Sequence, residues 1–260
     1  SIDLTRVSWW TVSAIVLTLV SLVVRLAKVG WVPLSTSEAN RAFQAMALLD
    51  GRALAPGERF SRLEPAMLLG QSGSFFLFGV TDNVARLLPV LAGAGVVVLA
   101  LALEPFVGRS AAMAMALLAA FSPTMLFASR AGEPQILIAF FAMLLLVSFL
   151  YNGRAPSRWW AAGMGVALAG MLASGAAAIS VFLCLIVGVV AARLVDTESE
   201  GAIRQALAGF RGGLDWLIAL IAAFAGTLLL LFSHGLSSVS ALRGAPETIS
   251  SWGRLVVTSE

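Results

Sequence analysis

WWAAGMGVALAGMLASGAAAISVFLCLIVGVVAA, residues 159–192, runs for 34 residues without a charge. One helix of that length would reach about 51 Å at 1.5 Å per residue. About 20 apolar residues already cross a hydrocarbon core of ~30 Å. The small-residue patch Ser174-Gly175-Ala176-Ala177-Ala178 offers a turn within the stretch. Arg154 and Arg158 precede it and Arg193 follows it, which places both ends on the cytoplasmic side of a membrane. Two crossings satisfy that charge pattern, so the stretch predicts a pair of helices in a bilayer.

Working outward, further apolar runs occupy residues 9–29, 85–103, 111–128, 134–151 and 216–232. The expected fold class is therefore all-α. It is a polytopic transmembrane helical bundle of about seven spans, with residues 1–260 forming one transmembrane domain. Composition agrees: 59% of residues are hydrophobic and 12% charged, against roughly 25% charged in a soluble domain. Strand-type alternation is too sparse for a lipid-facing barrel.

The net charge of +3 comes from basic residues scattered between apolar runs. That pattern lacks the clustered stripe of a nucleic-acid binder and reads as topology signalling. With the N-terminus cytoplasmic, short inner loops hold Arg109, Arg154, Arg158, Arg193, Arg204 and Arg211, and short outer loops hold Arg130 alone. Residues 30–84 are then an extracytoplasmic loop and residues 233–260 an extracytoplasmic tail. Trp9, Trp10 and Trp31 suit the membrane interface, and Arg25 and Lys28 are expected to snorkel toward it from the last turn of the first span. Cys184 is the single cysteine, so no internal disulfide forms.

The long loop carries its own order. Ser35-Thr36-Ser37-Glu38 fits a capping box, with Ser35 as N-cap and Glu38 three positions on. An amphipathic helix over residues 36–50 follows, with Ala39, Ala42, Phe43, Met46 and Leu49 as its apolar face, and Gly51 ends it. Such a helix is expected to lie on the membrane surface. A second apolar stretch, residues 65–79, is interrupted by Gly70-Gln71-Ser72-Gly73 and is expected to be interfacial or re-entrant.

This order of pieces resembles the GT-C class of membrane glycosyltransferases, in particular the protein mannosyltransferase-like group and its prokaryotic flippase-associated branch. The resemblance rests on Ser37-Glu38-Ala39 opening a juxtamembrane helix, Leu49-Asp50-Gly51-Arg52, Phe78-Gly79-Val80, and Ala85-Arg86-Leu87-Leu88-Pro89. It continues through Phe106-Val107-Gly108-Arg109-Ser110-Ala111-Ala112, Phe121-Ser122-Pro123, Ser129-Arg130 and Glu133-Pro134, to Phe232-Ser233-His234-Gly235-Leu236. Members continue with further spans, so the resemblance marks this chain as an N-terminal module. It implies a prokaryotic inner-membrane enzyme that transfers sugar from a polyprenyl-phosphate donor on the extracytoplasmic face.

Such transfer needs a base near the acceptor and positive charge near the leaving phosphate. The resemblance implies Glu38 as the catalytic carboxylate and Arg130, Glu133 and Arg86 as substrate-binding residues. It gives the outer-loop acidic residues base or metal-binding roles, which leaves a divalent metal ion as an open cofactor question. Each residue also has a purely structural reading. Glu38 completes a capping box, Glu133 precedes Pro134 at a helix start, Arg130 can pair with Glu133 or a headgroup, and Arg86 can anchor a span. The family pair is Asp-Glu, and Ser37 stands at the Asp position; Gln135 stands where an Asp often follows the proline. These departures define the alternative, a catalytically silent subunit of a larger membrane assembly. Expected partners are the lipid bilayer, a lipid-phosphate-linked sugar and other membrane subunits, and no nucleic acid.

Overall fold

In the computed structural model, residues 8–27, 29–31, 33–51, 64–195, 214–233 and 252–253 are described, and every regular element among them is helical. Arg52, Arg59, Arg62, Arg204, Arg211, His234 and most of the tail expected at 233–260 lie outside the described residues.

Helix α1 (Trp9–Leu26) begins at Ser8, whose hydroxyl accepts from the Trp10 N–H, and a short 3-10 turn (Val29–Trp31) extends it. The loop contributes α2 (Thr36–Leu49) and α3 (Pro65–Phe78), and α4 (Asp82–Ala85) leads through Arg86 into α5 (Leu87–Leu101). After the turn α6 (Glu104–Val107), Gly108 adopts φ +84, a left-handed conformation open to glycine. There the chain reverses into α7 (Arg109–Phe121), followed by α8 (Pro123–Arg130), α9 (Gln135–Arg154), α10 (Arg158–Leu172), α11 (Ala177–Val195) and α12 (Leu214–Phe232).

Among the described residues, four stretches are long and apolar enough to cross a membrane: Trp9–Trp31, Leu87–Val107, Gln135–Arg154 and Leu214–Phe232. A fifth is reached if α7 and α8, bent by 51° at Ser122, count as one broken span. The bend departs from the straight crossing expected over 111–128. Its cause is local: Pro123 has no N–H to donate to the Ala119 carbonyl one turn back. The 159–192 stretch does break at the small-residue patch, between Leu172 and Ala177. That leaves α10 with 15 residues and α11 with 19, of which Ala177–Ala191 form a short apolar helix. At 15 residues α10 is short of a full crossing.

Helix α5 is central, packed against α1, α7, α8 and α9. Its contact with α1 and α7 is built from small side chains, with Val97, Ala100, Ala116 and Ala120 wholly buried around Leu17. Small residues let helices approach closely where no water drives them together. The same device joins α10 to α12: a Cβ on Gly165 would collide with the Leu220 carbonyl and lie 2.8 Å from the Phe224 nitrogen. Asn152, on α9, fastens this pair by accepting from the Trp216 indole N–H at 2.9 Å.

The loop helices sit on the other end of the bundle. The capping box of α2 is complete, with the Ser35 hydroxyl accepting from the Glu38 N–H and the Glu38 carboxylate accepting from the Ser35 N–H. The face of α2 packed on the protein differs from the stripe expected to meet the membrane surface. Glu38, Ala45 and Ala47 are buried, Ala45 packs on Leu68 and Phe75 of α3, and Phe43 and Leu49 stay exposed. Helix α3 runs unbroken through Gly70–Gly73, because the polar residues there point inward to partners. Gln71 donates to the Ala85 carbonyl and Ser72 to the Ala45 carbonyl, both at 2.8 Å. At its start, the Ala66 N–H, one of the four N-terminal donors a helix leaves unpaired, reaches the Ala173 carbonyl at 2.9 Å.

Arg25 is the largest departure. It does not snorkel: it is wholly buried among α1, α5, α7 and α8.

Candidate functional site

A cavity of about 550 Å³ opens where α2, α8 and the turn after α1 meet. Its wall holds Glu38, Arg86, Arg130 and Glu133, together with Ser35 and Phe127. All four charged residues singled out from the sequence therefore come together at one place.

They do not come as equals. Arg86 occupies the single-residue joint between α4 and α5 and aims its guanidinium fork at Glu38. Nε donates to Oε1 at 2.8 Å and Nη2 to Oε2 at 2.9 Å, a bidentate pair in which both residues are about 95% buried. The same guanidinium donates to the Val29 carbonyl at 2.6 Å and to the Pro33 carbonyl at 3.3 Å. One side chain thus ties the turn after α1, the start of α2 and the head of α5 together. Gly132 closes over the pair with φ +61, and a Cβ there would stand 2.9 Å from Glu38 Oε1. Burial pushes the Glu38 carboxyl up, but the Arg86 hydrogen bonds, the Ser35 N–H and the Arg86 charge outweigh it. The net result lies below the ordinary carboxylate value.

Arg130 and Glu133 behave differently. Arg130 ends α8 and donates one Nη2 bond to the Ala27 carbonyl at 2.9 Å, leaving the rest of its fork at the cavity edge. Glu133 precedes Pro134 at the head of α9, half-buried, and among the described residues no side chain pairs with it. The cavity therefore presents one committed carboxylate, Glu38, and one uncommitted carboxylate, Glu133.

Two neighbours escaped the sequence reading. Arg41, on α2, donates to the Gly132 carbonyl at 2.8 Å and lies 3.9 Å from Glu64 Oε2. Glu64 stands at the N-cap position of α3 just before Pro65, and its carboxyl is pushed above the ordinary value by burial, against the Arg41 charge and with the Glu133 charge adding to the rise. A signal for Glu64 was present: the dipeptide Glu-Pro opens a helix at 64–65 just as it does next to 133–134. Arg41 had none, since its role is set by the fold of a segment 91 positions away. A divalent cation at this site would need several acidic side chains converging. Among the described residues no three His, Cys, Asp or Glu side chains do so. Neither the models of known protein families nor the curated proteins give a match to this chain.

Proposed function

We propose that this chain is the transmembrane module of a GT-C-type glycosyltransferase that takes a polyprenyl-phosphate-linked sugar on the extracytoplasmic face. The observation that carries the reading is the convergence of Glu38, Arg86, Arg130 and Glu133, drawn from three separate segments, on one cavity. In this reading an acceptor hydroxyl attacks the anomeric carbon as the bond to the phosphate oxygen breaks. The leaving phosphate carries the electron pair, and its charge is met by the open side of Arg130. Glu133 takes the hydroxyl proton, the role that the resemblance implied for Glu38. Glu38, both of whose oxygens are engaged, holds Arg86 and with it the cavity wall.

A second reading is favoured by the same pair. The Glu38 carboxylate is committed to Arg86, and Ser37 and Gln135 supply no further acid, as a silent structural subunit would have it. The two are separated with the longest natural form of the protein in lipid nanodiscs, presented with a polyprenyl-phosphate sugar. Turnover supports the enzyme. Absence of both binding and turnover, with other membrane proteins copurifying stoichiometrically, supports the subunit.

The topology that goes with the enzyme has seven spans and a cytoplasmic N-terminus, with α10 and α11 as two short crossings. It is supported by Arg109 and Arg154 meeting at one end of the bundle. Arg109 pairs with Glu104, and Arg154 lies 4.2 Å above the Phe106 ring. In a Cys184→Ser background, Asp82→Cys is expected to react with a membrane-impermeant thiol reagent from outside and Ala155→Cys only after permeabilisation. Equal labelling of both from outside would rule the topology out.

A further inference from the structure

Arg25 sits on a membrane-spanning helix, wholly buried, and among the described residues no acidic side chain pairs with it. An intramembrane cation of this kind is expensive and demands partners. Its partners are carbonyls. Nη2 donates to the Ala119 carbonyl at 2.8 Å and Nη1 to the Ala120 carbonyl at 3.2 Å, with Ser21 as a further acceptor. These are the carbonyls at the end of α7, and Ala119 is the residue whose partner would have been the missing N–H of Pro123. Space for the guanidinium is left by Gly93 on α5, where a Cβ would lie 2.8 Å from Arg25 Nε and 2.8 Å from the Ser129 side chain.

The reverse contact exists as well. Arg130, at the end of α8, donates to the carbonyl of Ala27, which caps the end of α1. We infer that Arg25 and Arg130 clamp the α7–α8 elbow to α1, Arg25 binding the last carbonyls of α7 and Arg130 the carbonyl that caps α1, and that Arg25 is the positioning residue that sets the elbow. The elbow matters because α8 carries Phe127 and Arg130 to the cavity wall and leads directly into Glu133. At 1.5 Å per residue the eight residues of α8 extend about 12 Å, so closing the 51° bend would swing its far end by about 10 Å. Pro123 removes a hydrogen bond at the bend, and the buried guanidinium bonded to the unpaired carbonyls holds the bend at one angle. This inference concerns the elbow and does not depend on glycosyl transfer.

The test reads the elbow directly. Spin labels are placed at Phe127 on α8 and Val98 on α5, both exposed, in the full chain with Cys184→Ser, and distances are measured by pulsed electron resonance. The wild type is expected to give one narrow distribution. Arg25→Met is expected to broaden it or move it by several ångströms, up to about the 10 Å swing of a freed α8. Arg25→Lys, which keeps a donor, is expected to restore part of the narrow population. If Arg25→Met leaves the distribution superimposable on the wild type, Pro123 alone sets the bend and the clamp is wrong. Should Arg25→Met fail to fold, Arg25→Met combined with Pro123→Ala decides the matter. The restored N–H at 123 satisfies the Ala119 carbonyl, so this chain is expected to fold with α7 and α8 straightened. Its failure to fold, or its retention of the bend, would overturn the clamp equally. Turnover is not the readout, so the outcome stands apart from that of the functional proposal.

Discussion

Glu133→Gln is expected to lower turnover of a polyprenyl-phosphate-linked sugar by about 10²–10⁴-fold, the range for loss of a general base. The substitution keeps the shape of the side chain and removes its ability to take a proton. The folded structure loses little by it, because among the described residues the Glu133 carboxylate pairs with no side chain and lies half-buried at the cavity edge. Stability is therefore expected to stay within the scatter of surface substitutions, about 0.5 kcal/mol. A second consequence follows from Glu64, whose carboxyl is raised by burial and further by the Glu133 charge. Glu133→Gln removes that repulsion, so the Glu64 carboxyl is expected to titrate at lower pH than in the wild type, measurable with isotope-labelled glutamate. Full activity in Glu133→Gln, with activity lost in Glu38→Gln at unchanged stability, would return the base role to Glu38.

Arg86→Met is expected to act on stability rather than on chemistry. Removing one partner of a buried pair leaves the other charge without compensation, at about 3–5 kcal/mol. The bidentate fork to Glu38 is such a pair, and the Val29 and Pro33 carbonyls lose their donor at the same time. Replacing both charges, as in Arg86→Met with Glu38→Met, is expected to recover much of the loss, since matched apolar residues often substitute for a buried ion pair without penalty. Unfolding in detergent as a function of temperature measures both. If Arg86→Met melts with the wild type, the pair does not hold the loop helices to the bundle.

Acidity supplies an independent check on the same pair. The folded Glu38 carboxyl lies below its unfolded value of about 4.3, so the folded state binds fewer protons there. Its contribution is complete above that value and drains away as the pH falls through the lower folded value. Glu64 runs the other way: its raised carboxyl takes up a proton at higher pH in the folded state, so its ionised form is a penalty that acidification relieves. Wild-type stability is thus expected to improve on descending toward the ordinary glutamate range and to fall below it. In Arg86→Met the lower, descending limb should vanish.

Much of the architecture is legible residue by residue, because its causes are local. The capping box at Ser35 and Glu38 starts α2 through bonds made within one turn. The patch around Ser174–Ala178 breaks an apolar run that no single crossing accommodates, and Pro123 breaks a helix by lacking an N–H. The residues of the cavity were also singled out by type and order. What each one does there was not legible, because charge pairing depends on which segments meet. Glu38 and Arg86 are 48 positions apart, and only the packing of α2 against the head of α5 turns a helix cap into a sealed ion pair and leaves Glu133 as the open carboxylate. Arg25 shows the same division. Its place near the end of an apolar helix implied escape to the interface, whereas unpaired carbonyls at the end of α7 and the space left by Gly93 draw it inward. Local sequence determined where helices start and stop; tertiary structure alone decided which buried charges are satisfied, since their partners are supplied by other helices.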